Sequence, residues 1–224
     1  MEKTSVFNLI ILDESGSMSS CRKSTISGCN ETLNVARQLQ KENADNQRSF
    51  VSIYAFQSGG VPSRYLCKNA KVEDVKDITP DDYLPCGCTP LLDAVGMTLV
   101  DLKAVASTHD DATGTITIIT DGYENSSTEY TYPQVKALIA QFKEKGFTVN
   151  FIGANIDVQQ VSCDLGIDNA MAYESNEVGA AEMYARFSVK LKEKERRRMN
   201  AEKGMSQSDR IRFRVSHNDD FFKD

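Results

Sequence analysis

The stretch VFNLIILDESGS, residues 6–17, joins an apolar run to a short polar segment. Val6 to Leu12 has the length and the β-branched content of a strand that is buried on both faces. Asp13, Ser15 and Ser17 follow at alternate positions, just beyond the end of that strand. A carboxylate and two hydroxyls on a bent loop suit a hard cation such as Mg²⁺. The same pattern also occurs in polar turns and at helix N-termini, so it needs support from the rest of the chain.

Further apolar runs of strand length alternate with stretches of helical period along the chain. This alternation is typical of a parallel sheet covered by helices on both faces. The sequence therefore predicts a doubly wound α/β domain, with a mostly parallel, Rossmann-like central sheet. The other predicted strands are Phe50–Phe56, Thr115–Ile119, Phe147–Ile152 and Met171–Tyr173, and the helical periods cover Ile26–Leu39, Leu92–Val105, Val135–Phe142 and Ala180–Leu191.

One connection breaks the alternation. Phe50–Phe56 is followed by Ser58-Gly59-Gly60 and then by Arg64–Cys67, which leaves too short a gap for a crossover helix. A tight turn of this kind joins antiparallel strands. We expect an antiparallel hairpin that places one strand at an edge of the sheet.

Length and composition set limits on the class of protein. The 224 residues suffice for one sizeable domain, which we place at residues 1–195, followed by a basic C-terminal extension at residues 196–224.

A net charge of -6 argues against nucleic-acid binding. The chain has no apolar stretch of about 18 residues and no signal-peptide pattern, so we expect a cytoplasmic protein without a membrane partner. Its six cysteines are expected to be free thiols.

Two further polar elements are predicted to reach the same edge of the sheet as Asp13. Asp121 directly follows the strand Thr115–Ile119, and Gly122 after it allows a tight turn. Thr89 precedes Pro90 at a predicted helix start, where its default role is that of a helix cap. Ligands of open α/β sheets bind beyond the carboxyl ends of the strands. We therefore expect Asp13, Thr89 and Asp121 to lie close together.

These segments resemble a known family. Asp13-Glu14-Ser15-Gly16-Ser17-Met18, Thr89-Pro90-Leu91 and Thr120-Asp121-Gly122 are similar to the metal-ion-dependent adhesion site of von Willebrand factor type A (VWA) domains. The resemblance covers about residues 4 to 195. The sequence of the first segment, together with Tyr54-Ala55-Phe56 and residues 121–125, is most similar to sequences of the intracellular bacterial branch that includes tellurium-resistance-associated proteins.

The resemblance implies roles for five residues. Ser15, Ser17 and Thr89 would ligate the metal directly, and Asp13 and Asp121 would hold it directly or through water. Hydroxyl ligands leave most of the charge of the ion uncancelled, so an open coordination position should attract a carboxylate. The expected function is a non-enzymatic, Mg²⁺-dependent module, with Mn²⁺ or Ca²⁺ as other candidates, that binds an acidic residue of a partner protein. The sequence does not predict the oligomeric state.

Residues next to these motifs carry further expectations. Glu14 is expected to be a solvated loop residue, because it points opposite to its neighbours in an extended segment. Glu124 and Asn125 are expected to support the metal ligands from behind. Arg210–Val215 alternates basic and apolar residues with strand period. This indicates an edge strand of the domain or a mobile end, or else a segment that pairs with the sheet edge of a partner or binds an acidic surface. The basic run Lys190–Arg198 is expected to be the solvated face of a terminal helix.

Two alternative functions remain open at this stage. A metal-dependent phosphoryl-transfer hydrolase also carries aspartate after its first strand, but it needs a second aspartate where Ser15 stands and a lysine to balance phosphate charge. A thiol-based redox or zinc-responsive protein is the other alternative, because Cys86 and Cys88 immediately precede Thr89 and Cys21 lies shortly after Ser17.

Overall fold

The computed structural model describes residues 3–222, and within them six strands form one sheet in the order β3-β2-β1-β4-β5-β6. Every neighbouring pair is parallel except β2 and β3, which are antiparallel. This confirms the predicted fold class and the antiparallel edge. The strands are β1 (Thr4–Asp13), β2 (Gln47–Ser58), β3 (Pro62–Lys71), β4 (Ala112–Thr120), β5 (Thr148–Gly153) and β6 (Asn169–Ala172).

Helices cover both faces of the sheet, and each face has its own apolar cluster. Phe7, Leu9 and Ile11 of β1 face α2, α3 and α4, whereas Ile10 and Leu12 face α1 and α5. The helices are α1 (Arg22–Glu42), α2 (Leu91–Ala106), α3 (Tyr132–Glu144), α4 (Val158–Leu165), α5 (Glu177–Ala201) and α6 (Gln207–Ser216). No helix in residues 3–222 is both long and apolar enough to cross a membrane.

The sheet reverses its winding between β1 and β4. The chain passes from β1 to β2 and β3 on one side, then returns to place β4 on the other side of β1. In the β1–β4 register Leu12 lies opposite Ile119, so both strands end at the same level. The crevice beyond such a switch point is where open α/β sheets bind ligands. Asp13 and Asp121 are placed at this crevice by the topology.

The prediction of an edge strand or mobile end at Arg210–Val215 is wrong. These residues belong to α6, whose N-cap Ser206 accepts a hydrogen bond from the backbone N–H of Asp209. A helix suits this segment because residues four apart lie on the same side of it. Arg210 and Arg214 are therefore on one side, and both bind Asp111. Residue 195, after which the domain boundary is predicted, lies within α5.

A group of buried charges ties this C-terminal segment to the start of β4, and we call it the ion-pair cluster. Arg198 lies 2.8 Å from Glu195 and 3.0 Å from Glu202. Arg214 lies 2.6 Å from Glu202 and 2.6 Å from Asp111. The prediction that Lys190–Arg198 is simply a solvated face is therefore wrong, because Glu195 and Arg198 face inward and neutralise each other. The cluster consists of Asp111, Glu195, Arg198, Glu202 and Arg214.

Candidate metal centre

Asp13 ends β1 and is completely buried. Its Oδ1 accepts a hydrogen bond from the backbone N–H of Ser15 at 2.7 Å, and its Oδ2 accepts one from the Thr120 hydroxyl at 2.6 Å. Burial raises the pKa of Asp13 to about 6, although these hydrogen bonds oppose the rise. The negative charge of Asp121 raises this pKa further. Asp13 thus bends the loop and brings a poorly solvated carboxylate to the switch point.

Ser15, Ser17 and Asp121 come together beside Asp13. The Ser15 and Ser17 hydroxyl oxygens are 3.2 Å apart, and the Ser17 hydroxyl donates to Oδ1 of Asp121. Adjacent ligands of an octahedral Mg²⁺ ion are roughly 3.0 Å apart, given Mg–O distances of about 2.1 Å. Ser15 and Asp121 are buried, whereas Ser17 is exposed. The group is therefore open to solvent on the Ser17 side.

Thr89 reaches the same place from the segment before α2. Its side chain is buried, and a Cβ added to Gly122 would lie 3.2 Å from its hydroxyl oxygen, which places that hydroxyl beside Gly122, the residue that follows Asp121. Asn125 fixes the Thr89 backbone, since its Oδ1 accepts from the Thr89 N–H at 2.8 Å. Glu124 accepts from the Leu92 N–H at 2.8 Å and so binds the start of α2. Both residues support the Thr89 segment, as the sequence predicts.

The five predicted residues are thus neighbours at the carboxyl ends of β1 and β4, and we call them the rim site. Within residues 3–222, the hydrogen-bond donors to Asp13 and Asp121 are hydroxyls and one backbone N–H. Two carboxylates without a cationic side chain beside them, plus three hydroxyls, form a donor set made of oxygen alone. This set fits a hard divalent cation, whose charge would compensate both carboxylates.

Ser175 is a further residue of this region that the sequence analysis missed. Its hydroxyl donates to Oδ2 of Asp121 at 2.7 Å, opposite the bond from Ser17. It also contacts Ser20, in the 3-10 turn Gly16–Cys21, with the two hydroxyl oxygens 3.1 Å apart. Ser175 follows β6, so its place just after the end of a strand is the signal that could have identified it. It holds Asp121 in one orientation.

The prediction that Glu14 is a solvated loop residue is wrong. Its side chain does point away from Asp13 and Ser15, but that side of the loop is covered and Glu14 is completely buried. Arg64 of β3 lies 2.7 Å from its carboxylate, and the Gln57 amide donates to it at 3.0 Å. Burial alone would raise the pKa of Glu14, but the bonds from Arg64 and its neighbours outweigh burial and lower it. Glu14 fastens the loop to the edge hairpin.

The three cysteines near the rim site differ in their exposure to solvent. Cys21 is completely buried and burial raises its pKa, whereas Cys86 and Cys88 are exposed. Gly87 between them has a positive φ of 69°, and its carbonyl accepts from the Gly16 N–H at 3.1 Å. Residues 3–222 contain no group of three His, Cys, Asp or Glu side chains placed to hold a metal. The zinc-binding thiol cluster of the alternative hypothesis is not formed.

Comparisons with known proteins give a fold but no family. No family model and no curated protein matches the sequence. The PilB minor pilin from Streptococcus sanguinis is 12% identical with a TM-score of 0.55, covering 86% of this chain and 62% of that one, so this chain spans about three fifths of PilB.

Two smaller structures are also similar. The manganese-loaded TRAP protein of Plasmodium vivax is 16% identical with a TM-score of 0.50, covering 79% of this chain and 71% of that one. The SpRpn10 VWA domain is 10% identical with a TM-score of 0.52, covering 81% of this chain and 94% of that one. At such identities the likeness concerns the backbone alone. The chain has the Rossmann-like α/β fold of VWA domains.

Proposed function

We propose that this chain is a divalent-cation-dependent protein-interaction module, in which a metal at the rim site binds an acidic residue of a partner protein. The observation that carries the proposal is the convergence of Asp13, Ser15, Ser17, Thr89 and Asp121 at the switch point of the sheet. Three separate chain segments deliver only oxygen donors to this point. No catalytic step is part of the proposal.

The chemistry of the donors supports both the metal and the partner group. Ser15, Ser17 and Thr89 would ligate the ion through neutral hydroxyls, and Asp13 and Asp121 would hold it directly or through water. The ion would supply a positive charge that the hydroxyls do not cancel. A carboxylate that approaches from the solvent side, next to the exposed Ser17, would complete its coordination. Mg²⁺ is the proposed resident ion, and Mn²⁺ and Ca²⁺ accept the same donor type.

We also propose that the chain belongs to the intracellular bacterial branch of VWA proteins and is cytoplasmic. The residues of the motifs support this part of the proposal. The phosphoryl-transfer alternative gains no support from the described residues. Ser15 holds the place of the second aspartate, and within residues 3–222 neither Asp13 nor Asp121 forms an ion pair with a lysine.

The carboxylate preference can be tested with Mn²⁺ as the probe, because bound Mn²⁺ accelerates the relaxation of the water protons on it. Acetate should displace coordinated water from the Mn²⁺-loaded protein and lower the relaxation enhancement. Acetamide, which has a similar shape but no charge, should not. An equal effect of both compounds, or no Mn²⁺ binding at all, would contradict the proposal.

The partner can be sought by affinity capture from the native cell in Mg²⁺ and in chelator. We expect proteins that bind only in Mg²⁺ and that are lost with Thr89→Ala. Thr108→Ala is the matched control, because Thr108 is exposed and its hydroxyl bonds only within its own turn and to His109. Capture of the same proteins in chelator would show that binding does not use the metal.

A further inference from the structure

A cavity lies at the other end of the sheet from the rim site. It has a volume of about 270 Å³ and opens between α5, α6 and the first residues of β4 and β5. Its lining includes the polar residues Thr113 and Thr148 and the aromatic residues Phe213 and Phe221. This volume is close to the lower end of the range for small-molecule sites, about 300–1,000 Å³. The cavity combines apolar surface with a few charged groups, as ligand sites do.

The residues that line the cavity carry a net positive charge, although the whole chain carries a net charge of -6. Most of these cations already have carboxylate partners. Arg198 and Arg214 belong to the ion-pair cluster, and Arg197 lies 2.8 Å from Asp220. The charged lining residues are Lys190, Lys194, Arg197, Arg198 and Arg214 against Glu193 and Asp220.

Lys194 differs from these cations. Its ammonium nitrogen donates to the Thr115 hydroxyl at 2.9 Å and lies 5.9 Å from the centroid of the Phe221 ring. Within residues 3–222, no carboxylate oxygen lies within 4.0 Å of it; Glu195 and Asp220 act on it only from farther away, and each is bonded to an arginine. Burial lowers the pKa of Lys194 to about 8, and the nearby positive charges of Arg198 and Arg214 act in the same direction, whereas Glu195 and Asp220 oppose the change.

We propose that this cavity binds a small aromatic monocarboxylate. Its carboxylate would contact the Lys194 ammonium, and its ring would lie against Phe213 and Phe221. Lys194 has no carboxylate within 4.0 Å in residues 3–222, so one negative charge on a ligand would complement it. A charge-assisted hydrogen bond in a partly dry cavity is stronger than in water. The two phenylalanine rings favour an aromatic body over an aliphatic one. This site is separate from the rim site and does not depend on a metal there.

The test uses 2-naphthoate as the probe, with the full chain in chelator so that the rim site takes no part. Isothermal titration or probe fluorescence should show saturable binding with one site per chain. The neutral analogue 2-naphthylmethanol should bind at least ~10-fold more weakly, because it offers no charge to Lys194. Equal affinity for the two compounds, or no binding of 2-naphthoate, would overturn the proposal without bearing on the rim site.

Substitutions locate the binding in the cavity. Lys194→Met should weaken 2-naphthoate binding about 10- to 100-fold while leaving the neutral analogue unchanged. Lys192→Met is the matched control on the same helix, because the Lys192 ammonium bonds to Gln38 outside the cavity. A cooperative urea transition in each variant shows that it is folded. The wild-type comparison of the two compounds remains decisive if Lys194→Met does not fold, and undiminished binding to a folded Lys194→Met would refute the assignment.

Discussion

The two ends of the sheet hold buried carboxylates in opposite ways. In the ion-pair cluster, the carboxylates of Asp111, Glu195 and Glu202 are bound by Arg198 and Arg214. At the rim site, Asp13 and Asp121 are bound by hydroxyls and a backbone N–H, and by no arginine or lysine of residues 3–222. The buried carboxylates at one end are paired with arginines, and those of the rim site have no cationic partner within residues 3–222.

This difference separates structural charge from binding charge. A buried carboxylate that lacks a cation is costly, so a protein keeps one where an ion will compensate it. The cluster fastens the C-terminal helices to the sheet, and each of its carboxylates is already paired with an arginine. The rim leaves negative charge and hydroxyl oxygens uncommitted around one point. Removing a charge should therefore destabilise the fold at one end and change only metal binding at the other.

The largest effect is expected from Arg214→Met. This change keeps most of the side-chain volume but leaves Asp111 and Glu202 without their shared partner in a buried place. Breaking a buried ion pair on one side costs about 3–5 kcal/mol. We expect a loss near the lower figure in urea denaturation, because Arg210 still contacts Asp111. Arg212→Met is the control, since Arg212 is exposed and its substitution should change stability by about 0.5 kcal/mol or less.

The pH dependence of the same variant gives a second measurement. Burial would raise the pKa of Asp111, but the hydrogen bonds and charge of Arg214 outweigh it and lower the pKa below 3.8. A lowered pKa in the folded state stabilises the protein above the unfolded-state value, and this stability is lost as pH falls through the folded value. The gap in unfolding free energy between wild type and Arg214→Met should thus be full at pH 6 and narrow below about pH 4. A gap independent of pH would contradict the role of the cluster.

Asp13→Asn tests the other end. In chelator we expect the unfolding free energy to change by less than about 1 kcal/mol, because the amide keeps an acceptor for the Ser15 N–H and removes a poorly solvated charge. Mg²⁺ at a hundred times its dissociation constant should stabilise the wild type by about 2.7 kcal/mol and the variant hardly at all. Thermal melting with and without Mg²⁺ measures both. Asp45→Asn, on an exposed loop, is the control.

A wild type that melts at the same temperature with and without Mg²⁺, in protein shown to be metal-free, would remove the contrast between the two ends. So would a large destabilisation of Asp13→Asn in chelator. That outcome would mean that Asp13 is a structural residue of the same kind as Asp111.

The rim site could be predicted because the ends of its strands can be recognised in the sequence. Asp13 and Asp121 each follow an apolar run, and parallel strands that end at one edge bring such residues together whatever the details of packing. Ser175 follows a short strand in the same way, but nothing local shows that its hydroxyl reaches Asp121. The metal role of these residues rests on the resemblance and stays a prediction.

The ion-pair cluster could not be predicted in the same way. Arg210 and Arg214 are four residues apart, which suits one side of a helix, yet the alternation with apolar residues also has strand period. The sequence Ser206-Gln207-Ser208-Asp209 is a helix-start signal that favours the helix. Their partner Asp111 is about a hundred residues away in sequence, so only the fold reveals the bond. The prediction for Glu14 is wrong for the same reason, because its partner Arg64 lies on another strand and is distant in sequence.

A smaller effect is expected from Ser175→Ala. The change removes one of the two hydroxyls that orient the Asp121 carboxylate and leaves the proposed ligands in place. Groups that orient metal ligands typically contribute 10- to 100-fold to affinity, and we expect about 10-fold weaker Mg²⁺ binding with little change in stability in chelator. Ser208→Ala, on the exposed surface of α6, is the control for titration calorimetry. Unchanged affinity would mean that Ser17 alone fixes Asp121.

The smallest effect is expected from the double variant Cys86→Ser, Cys88→Ser. Both thiols are exposed, and the bonds that hold this segment are made by backbone atoms: the Cys86 N–H donates to the Glu14 carbonyl at 2.9 Å, and the Cys88 carbonyl accepts from the Ser58 N–H at 3.1 Å. Mg²⁺ affinity should therefore stay within about 2-fold of wild type. Zinc titration with thiol counting is the matching measurement. One zinc per chain that is lost in the variant would show that the rim carries a soft-metal site as well. The contrast between the rim carboxylates and the arginine-paired carboxylates of the ion-pair cluster would then have to include the thiolates.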